Sequence, residues 1–178
     1  YESSVRQGGF RVGRRGGKSS TLCRLAVVEG LYGQHKIPPG DVGVIPFIST
    51  TRDEASQRLR TVKAILDALR TRYRPCDGGI ELVDRPVAFK VFTASISGVS
   101  GFTSIFVVAD EVAKWKDSDT GQNPASEVLA SIRPTMATQP NARIILSSSP
   151  MGKWDAHYDA YEAGETGFQV TAYAPTWE

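Results

Sequence analysis

The chain has 178 residues, 40% of them hydrophobic and 22% charged, the make-up of a soluble globular protein with room for one substantial core. A formal net charge of +2 is too small to announce a nucleic-acid binder by itself, although it leaves room for a local basic patch. Two cysteines, Cys23 and Cys76, stand in no metal-ligand spacing and read as reduced cytosolic thiols rather than a disulfide framework. No apolar run approaches the roughly 20 residues that span a bilayer, and no signal peptide opens the chain. Because the first residue is Tyr1, we expect the natural N-terminus to lie upstream.

In chain order, Gly8 to Val12 reads as a short strand. Ser19 to Tyr32 follows as a helix carrying Leu22, Leu25, Ala26, Val28 and Leu31, stopped by Gly33 and Pro38-Pro39-Gly40. Val42 to Ile48 is a strand pattern interrupted by Pro46, a residue unwelcome inside a sheet. Thr51-Arg52-Asp53-Glu54 is a capping box. It opens a helix expected to reach about Tyr73, with Ala55, Leu59, Val62, Ile65, Leu66, Leu69 and Tyr73 on one stripe. Arg60, Lys63, Arg70 and Arg74 lie off that stripe, on a face that reads as solvated, with contact to DNA phosphates as the alternative. Ile80 to Val83 and Val87 to Thr93 form a hairpin pattern around Asp84-Arg85-Pro86. A glycine-containing loop then leads into the strongly apolar run Ile105 to Ala109. After a polar stretch from Lys116 to Pro124, a short helix is expected over Ala125 to Ile132 and a buried strand over Ile144 to Ser147. Strands alternating with helices in this way predict an α/β fold, a mainly parallel sheet flanked by helices, in one domain over residues 1–178.

Three segments carry chemistry. Gly13-Arg14-Arg15-Gly16-Gly17-Lys18-Ser19-Ser20 lies between the first strand and the first helix, the placement of a phosphate loop, where backbone N–H groups and the helix dipole favour an anion. Such a loop usually runs G-x-x-x-x-G-K-S/T. Gly17-Lys18-Ser19 supplies the second half, but Val12 stands where the first glycine belongs. Five apolar residues before Asp110-Glu111 suit a central strand buried on both faces. Paired with the loop, Asp110 would hold magnesium, through water, and Glu111 would orient and deprotonate the water that attacks a γ-phosphate. The strand over Ile144 to Leu146 ends in Ser147-Ser148-Ser149-Pro150, where many motor ATPases place a γ-phosphate sensor or coupling motif.

Taken together, "VGRRGGKSS", "IFVVADEVAKW" and "ILSSSPMGKW" resemble the ATPase domain of the large terminase subunit of tailed bacteriophages, a family known for a loop whose first glycine is replaced and which carries an internal arginine. "ISTTRDEASQRL" resembles the segment after that loop. The resemblance implies a P-loop NTPase of the ASCE type that hydrolyses ATP with Mg2+ to move double-stranded DNA into an empty procapsid. It also implies work in the host cytoplasm with the portal and the small terminase subunit, as a homo-oligomeric ring, the isolated domain being a monomer. It assigns nucleotide contacts to Gly13, Arg14, Arg15, Gly16, Gly17, Lys18, Ser19 and Ser20, and metal contacts to Ser19 and Asp110. Catalysis falls to Glu111 with Arg14, and coupling to Ser147, Ser148 and Ser149. Many members carry an arginine before the glycine of the loop preceding the acidic strand, a candidate finger for the neighbouring subunit. That place holds Ser100-Gly101 here, and Arg133 or Arg143 are alternative sources, none of them assigned. The family's C-terminal nuclease domain has no counterpart within these residues, so no nuclease activity is expected of them. Two other readings stand beside this one at the level of sequence: another P-loop motor such as a helicase fragment, and a nucleotide-holding, DNA-associated module that does not turn ATP over.

Overall fold

The computed structural model describes residues 5–95, 101–115, 124–151 and 156–174. Strand β1 (Gln7–Val12) passes through the glycine loop into helix α1 (Lys18–Tyr32), which returns the chain to β2 (Gly43–Ser49). Helix α2 (Arg52–Ala68) leads to β3 (Tyr73–Cys76), β4 (Gly79–Leu82) and β5 (Val87–Thr93). Then come β6 (Thr103–Ser104), β7 (Phe106–Asp110), α3 (Ala125–Ile132), β8 (Arg143–Ser148), α4 (Ala156–Glu162) and β9 (Gln169–Ala174).

These strands make one sheet in the order β3-β4-β5-β2-β7-β8-β1-β9, with β6 beside the start of β2. Strand β4 runs antiparallel to β3 and β5, while β5, β2, β7, β8, β1 and β9 are parallel. The parallel strands therefore end along one edge, and helix N-termini gather where an α/β sheet binds its ligands. Strand β8 lies between the loop-bearing β1 and the acidic β7.

Alternation along the buried strands feeds two cores. Phe47 and Val108 join Leu22, Ala26, Val62, Leu66 and Phe89 beneath α1 and α2. Ile48, Val107 and Ala109 face the other way, onto Trp115, Val128, Ile132 and Leu146 beneath α3 and α4.

Pro46 is tolerated at the centre of the sheet because the ladder breaks beside it. Strand β2 pairs with β6 at Gly43 and Val44 and resumes with β7 at Phe47 and Ile48. Val44 accepts from Ile105 N–H at 3.0 Å on that side, so by alternation the absent donor of Pro46 faces the gap. The second helix is shorter than its periodicity predicts. Arg70 takes a left-handed φ of 55°, and Thr71 N–H returns to Leu66 O at 2.9 Å, closing the helix before Tyr73, which starts β3 and pairs with Leu82 of β4. Apolar spacing alone does not sense such a helix end. Leu69, placed on the buried stripe by that spacing, is 53% exposed. Ser100 and most of the polar stretch after Trp115 lie outside the described residues.

Candidate nucleotide and metal site

The backbone geometry of the glycine loop suits an anion. Gly16 N–H turns back onto Gly13 O at 3.3 Å, and Gly13 N–H is fixed to Ala174 O of β9 at 2.8 Å. Arg15 (φ 63°) and Gly17 (φ 76°) are both left-handed. The first intrahelical bond of α1 is Thr21 N–H to Gly17 O, so the amides of Lys18, Ser19 and Ser20 precede the helical ladder. No side chain caps the helix, and its first turn carries no acidic residue, so its dipole is left for a ligand. Val12 is accommodated at the irregular position by Gly16. A Cβ on Gly16 would sit 2.6 Å from Val12 Cγ1, so the methyl of Val12 fills the space that the glycine leaves open.

Asp110 closes β7 at 1% exposure. Its Oδ1 accepts from Glu111 N–H at 3.1 Å, and its Oδ2 accepts from Ser19 Oγ at 3.2 Å and from Arg58 Nε at 2.7 Å. Trp115, buried in the turn that follows, donates its indole N–H to Asp110 O at 2.9 Å and braces the strand end from behind. Glu111 takes a left-handed φ of 54°, and its Oε2 lies 3.1 Å from Lys114 Nζ.

The serines of β8 complete the edge. Lys18 Nζ donates to Ser149 Oγ at 2.9 Å and to Gly13 O at 3.2 Å. Ser148 Oγ accepts from Ala113 N–H at 3.3 Å. Ser147 lies in register with Asp110. Ser49, one residue beyond the paired Ile48 and Ala109, is Asp110's neighbour on its other side. The buried hydroxyls of Ser147 and Ser49 have no hydrogen-bond partner. Arg14, Arg15, Gly16, Gly17, Lys18, Ser19, Ser20, Glu111 and Ser149 line one cavity of about 330 Å³. Every residue singled out from the sequence for nucleotide, metal or coupling work therefore lies at this strand edge. Arg133 and Arg143 do not: Arg133 bonds Gln7 at the start of β1, and Arg143 begins β8 at the opposite edge, 3.9 Å from Glu29.

The donor set suits a hard divalent cation. Among the described residues no three His, Cys, Asp or Glu side chains form a cage. Mg2+ instead uses one or two carboxylates, substrate phosphates and retained waters. A hydroxyl and a carboxylate already in contact, flanked by two orphaned buried hydroxyls able to take those waters, meet that requirement. Arg58, Lys114, Trp115 and Ser49 escaped the sequence reading. The first had a usable signal: it falls three residues after Ala55 and four before Val62, inside the apolar stripe, where an unpaired charge is costly.

A strand inserted between the loop strand and the acidic strand, with both motifs at one edge, defines the fold of an ASCE-type P-loop NTPase. No protein-family model matches the sequence, and no curated protein is detectably similar to it. Among solved structures, the chain is similar to the large terminase ATPase domain of Thermus phage P74-26, with TM-score 0.68 and 19% identity over 98% of this chain and 77% of that one. It is also similar to the large terminase of bacteriophage HK97, with TM-score 0.70 and 15% identity over 95% of this chain, and to that of a thermophilic bacteriophage, with TM-score 0.67 and 11% identity over 96%. The fold is thus that of phage large terminase ATPase domains, and the chain spans 35% and 40% of the latter two proteins. No helix among the described residues is long and apolar enough to cross a membrane.

Proposed function

We propose that this chain is the ATPase domain of a phage large terminase, one folded unit over residues 1–178 that hydrolyses ATP to drive double-stranded DNA into a procapsid. The observation that carries the reading is convergence: Lys18, Ser19, Asp110, Glu111 and Ser149, from three strand ends up to 131 residues apart, meet at one edge of a terminase-like sheet. On this reading the unpaired amides of the loop and of the first turn of α1 cradle the β- and γ-phosphates, and Lys18 leaves Gly13 O and Ser149 to neutralise them. Ser19 and Asp110 hold Mg2+, which when bound neutralises charge developing on the phosphate oxygens. Glu111 orients the attacking water and takes its proton, for which it has to be released from Lys114. Arg14, exposed at the cavity rim, contacts the phosphates, and Ser147 to Ser149 couple their loss to movement. Double-stranded DNA, the portal, the small terminase subunit and a ring of like subunits in the host cytoplasm are the partners and setting that this function calls for.

The test is nucleotide binding and steady-state ATP turnover of the chain beside Lys18→Ala and Glu111→Ala. The lysine change is expected to abolish both, and the glutamate change to keep binding and lower turnover by two orders of magnitude or more. Equal turnover in all three proteins refutes both assignments.

A further inference from the structure

Asp110 is a buried carboxylate with a strong resident partner that the proposed chemistry leaves unused. Arg58 Nε lies 2.7 Å from the Oδ2 that also accepts from Ser19. The arginine side chain is 20% exposed and the aspartate 2%, so the pair is largely desolvated and its attraction only weakly screened. The arginine is held from below as well as above. It belongs to the capped helix α2, and its carbonyl accepts from Cys23 Sγ of α1 at 3.6 Å. The oxygen on which a divalent cation would draw, directly or through water, is already facing a guanidinium.

We propose that Arg58 is the resident counter-cation of the metal site. It neutralises Asp110 and presses its Oδ2 against Ser19 while the site is empty, and it competes with the incoming divalent cation for that same oxygen. This rests on the reading of Ser19 and Asp110 as metal ligands. Two consequences pull in opposite directions and identify the role. Removing Arg58 strands a buried carboxylate, so the empty protein loses stability. Removing it also deletes a positive charge a few ångströms from the cation, so metal binds more tightly. A residue that merely packed the helix would produce the first effect without the second.

The experiment compares wild type with Arg58→Gln, which keeps the length and loses the charge, and Arg58→Lys, which keeps the charge. Thermal unfolding in EDTA gives the stability of the empty protein. Electron paramagnetic resonance of Mn2+, titrated in the presence of a non-hydrolysable ATP analogue, gives metal affinity without reference to activity. The expected result for Arg58→Gln is an EDTA midpoint lower by roughly 5–10 °C and Mn2+ half-saturation at a concentration lower by roughly five- to tenfold. Arg58→Lys is expected within about twofold of wild type in Mn2+ half-saturation. Should Arg58→Gln not fold, Arg58→Lys together with the neutral Arg58→Met supplies the same contrast. An unchanged or weakened Mn2+ affinity in the neutral variants overturns the inference while leaving the motor reading intact. A wild-type chain that takes up no Mn2+ with the analogue overturns both.

Discussion

The irregular glycine loop makes a quantitative prediction through a pair of residues that its sequence pattern does not link. Gly16 does not need its conformational freedom, since its φ is not among the positive ones, yet it has no room for a side chain. An added Cβ would stand 2.6 Å from Val12 Cγ1 and 3.2 Å from Gly13 O, while Val12 Cβ is 4.0 Å away. The shortest contact is thus more than half an ångström inside ordinary van der Waals distance, against a β-branched side chain that has few rotamers to escape into. Overpacking of this kind costs about 1–3 kcal/mol, so Gly16→Ala is expected to destabilise by about 2 kcal/mol and to weaken nucleotide binding by distorting the loop. Val12→Ala removes the offending methyl at a cost of about 1 kcal/mol, because the residue is only partly buried. In the double variant the nearest Val12 atom becomes Cβ at 4.0 Å, and most of the clash disappears. Urea unfolding of the four proteins should therefore show a total cost about 1.5 kcal/mol below the sum of the singles, a coupling of the size expected for residues in direct contact. Additive costs would refute the claim that Val12 and Gly16 replace the usual first glycine as a unit.

Two further expectations rest on the buried parts of the same edge. Trp115→Phe removes the donor to Asp110 O from a residue 1% exposed. An unpaired buried carbonyl together with the lost volume should cost about 2–4 kcal/mol, seen as a melting temperature lower by roughly 4–16 °C; an unchanged midpoint would show that the brace contributes nothing. Burial pushes the Cys23 thiol up to about 11, so the folded state favours its neutral form. That contribution is complete below pH 9 and is lost as pH rises from 9 towards 11, about 2–3 kcal/mol in all. Denaturation across pH 8 to 11 should show a decline that Cys23→Ala lacks, and at pH 8 iodoacetamide should label Cys76 before Cys23. Equal labelling rates would mean that α1 opens far more readily than its packing implies.

What the sequence reveals here is whatever follows local rules. The loop, the capped start of α2, the hairpin of β4 and β5, α3 and the apolar strands β7 and β8 are each written in spacing or composition over a few residues. Residues that pair across the sheet edge are not. Arg58 and Asp110 are 52 positions apart and Lys18 and Ser149 are 131 apart, and only the strand order brings them together. The end of α2 is not legible in the sequence because Tyr73 continues the apolar stripe while the left-handed Arg70 has already turned the chain away. Strand β9 escaped because Gln169–Ala174 leaves the last three of its six residues exposed, and an edge strand needs no long apolar run.

The inserted strand also bears on how the site would report its state. Adjacent strands lie about 4.8 Å apart, so with β8 between them the loop strand and the acidic strand are separated by roughly 10 Å, a gap that Ser19 and Asp110 close directly at 3.2 Å. The end of β8 spans that gap in two directions. Ser149 holds Lys18 on one side, and Ser148 accepts from Ala113, two residues beyond Glu111, on the other. When Lys18 turns to a phosphate, the proposed first step, Ser149 loses its partner. Ser148 Oγ also donates to Ser149 O at 3.1 Å, so a shift of the Ser149 backbone acts on the bond to Ala113 and through it on the turn that positions Glu111. Ser148 and Ser149 thereby connect Lys18 to the turn that carries Glu111 through two adjacent residues, a path along which the proposed coupling would run.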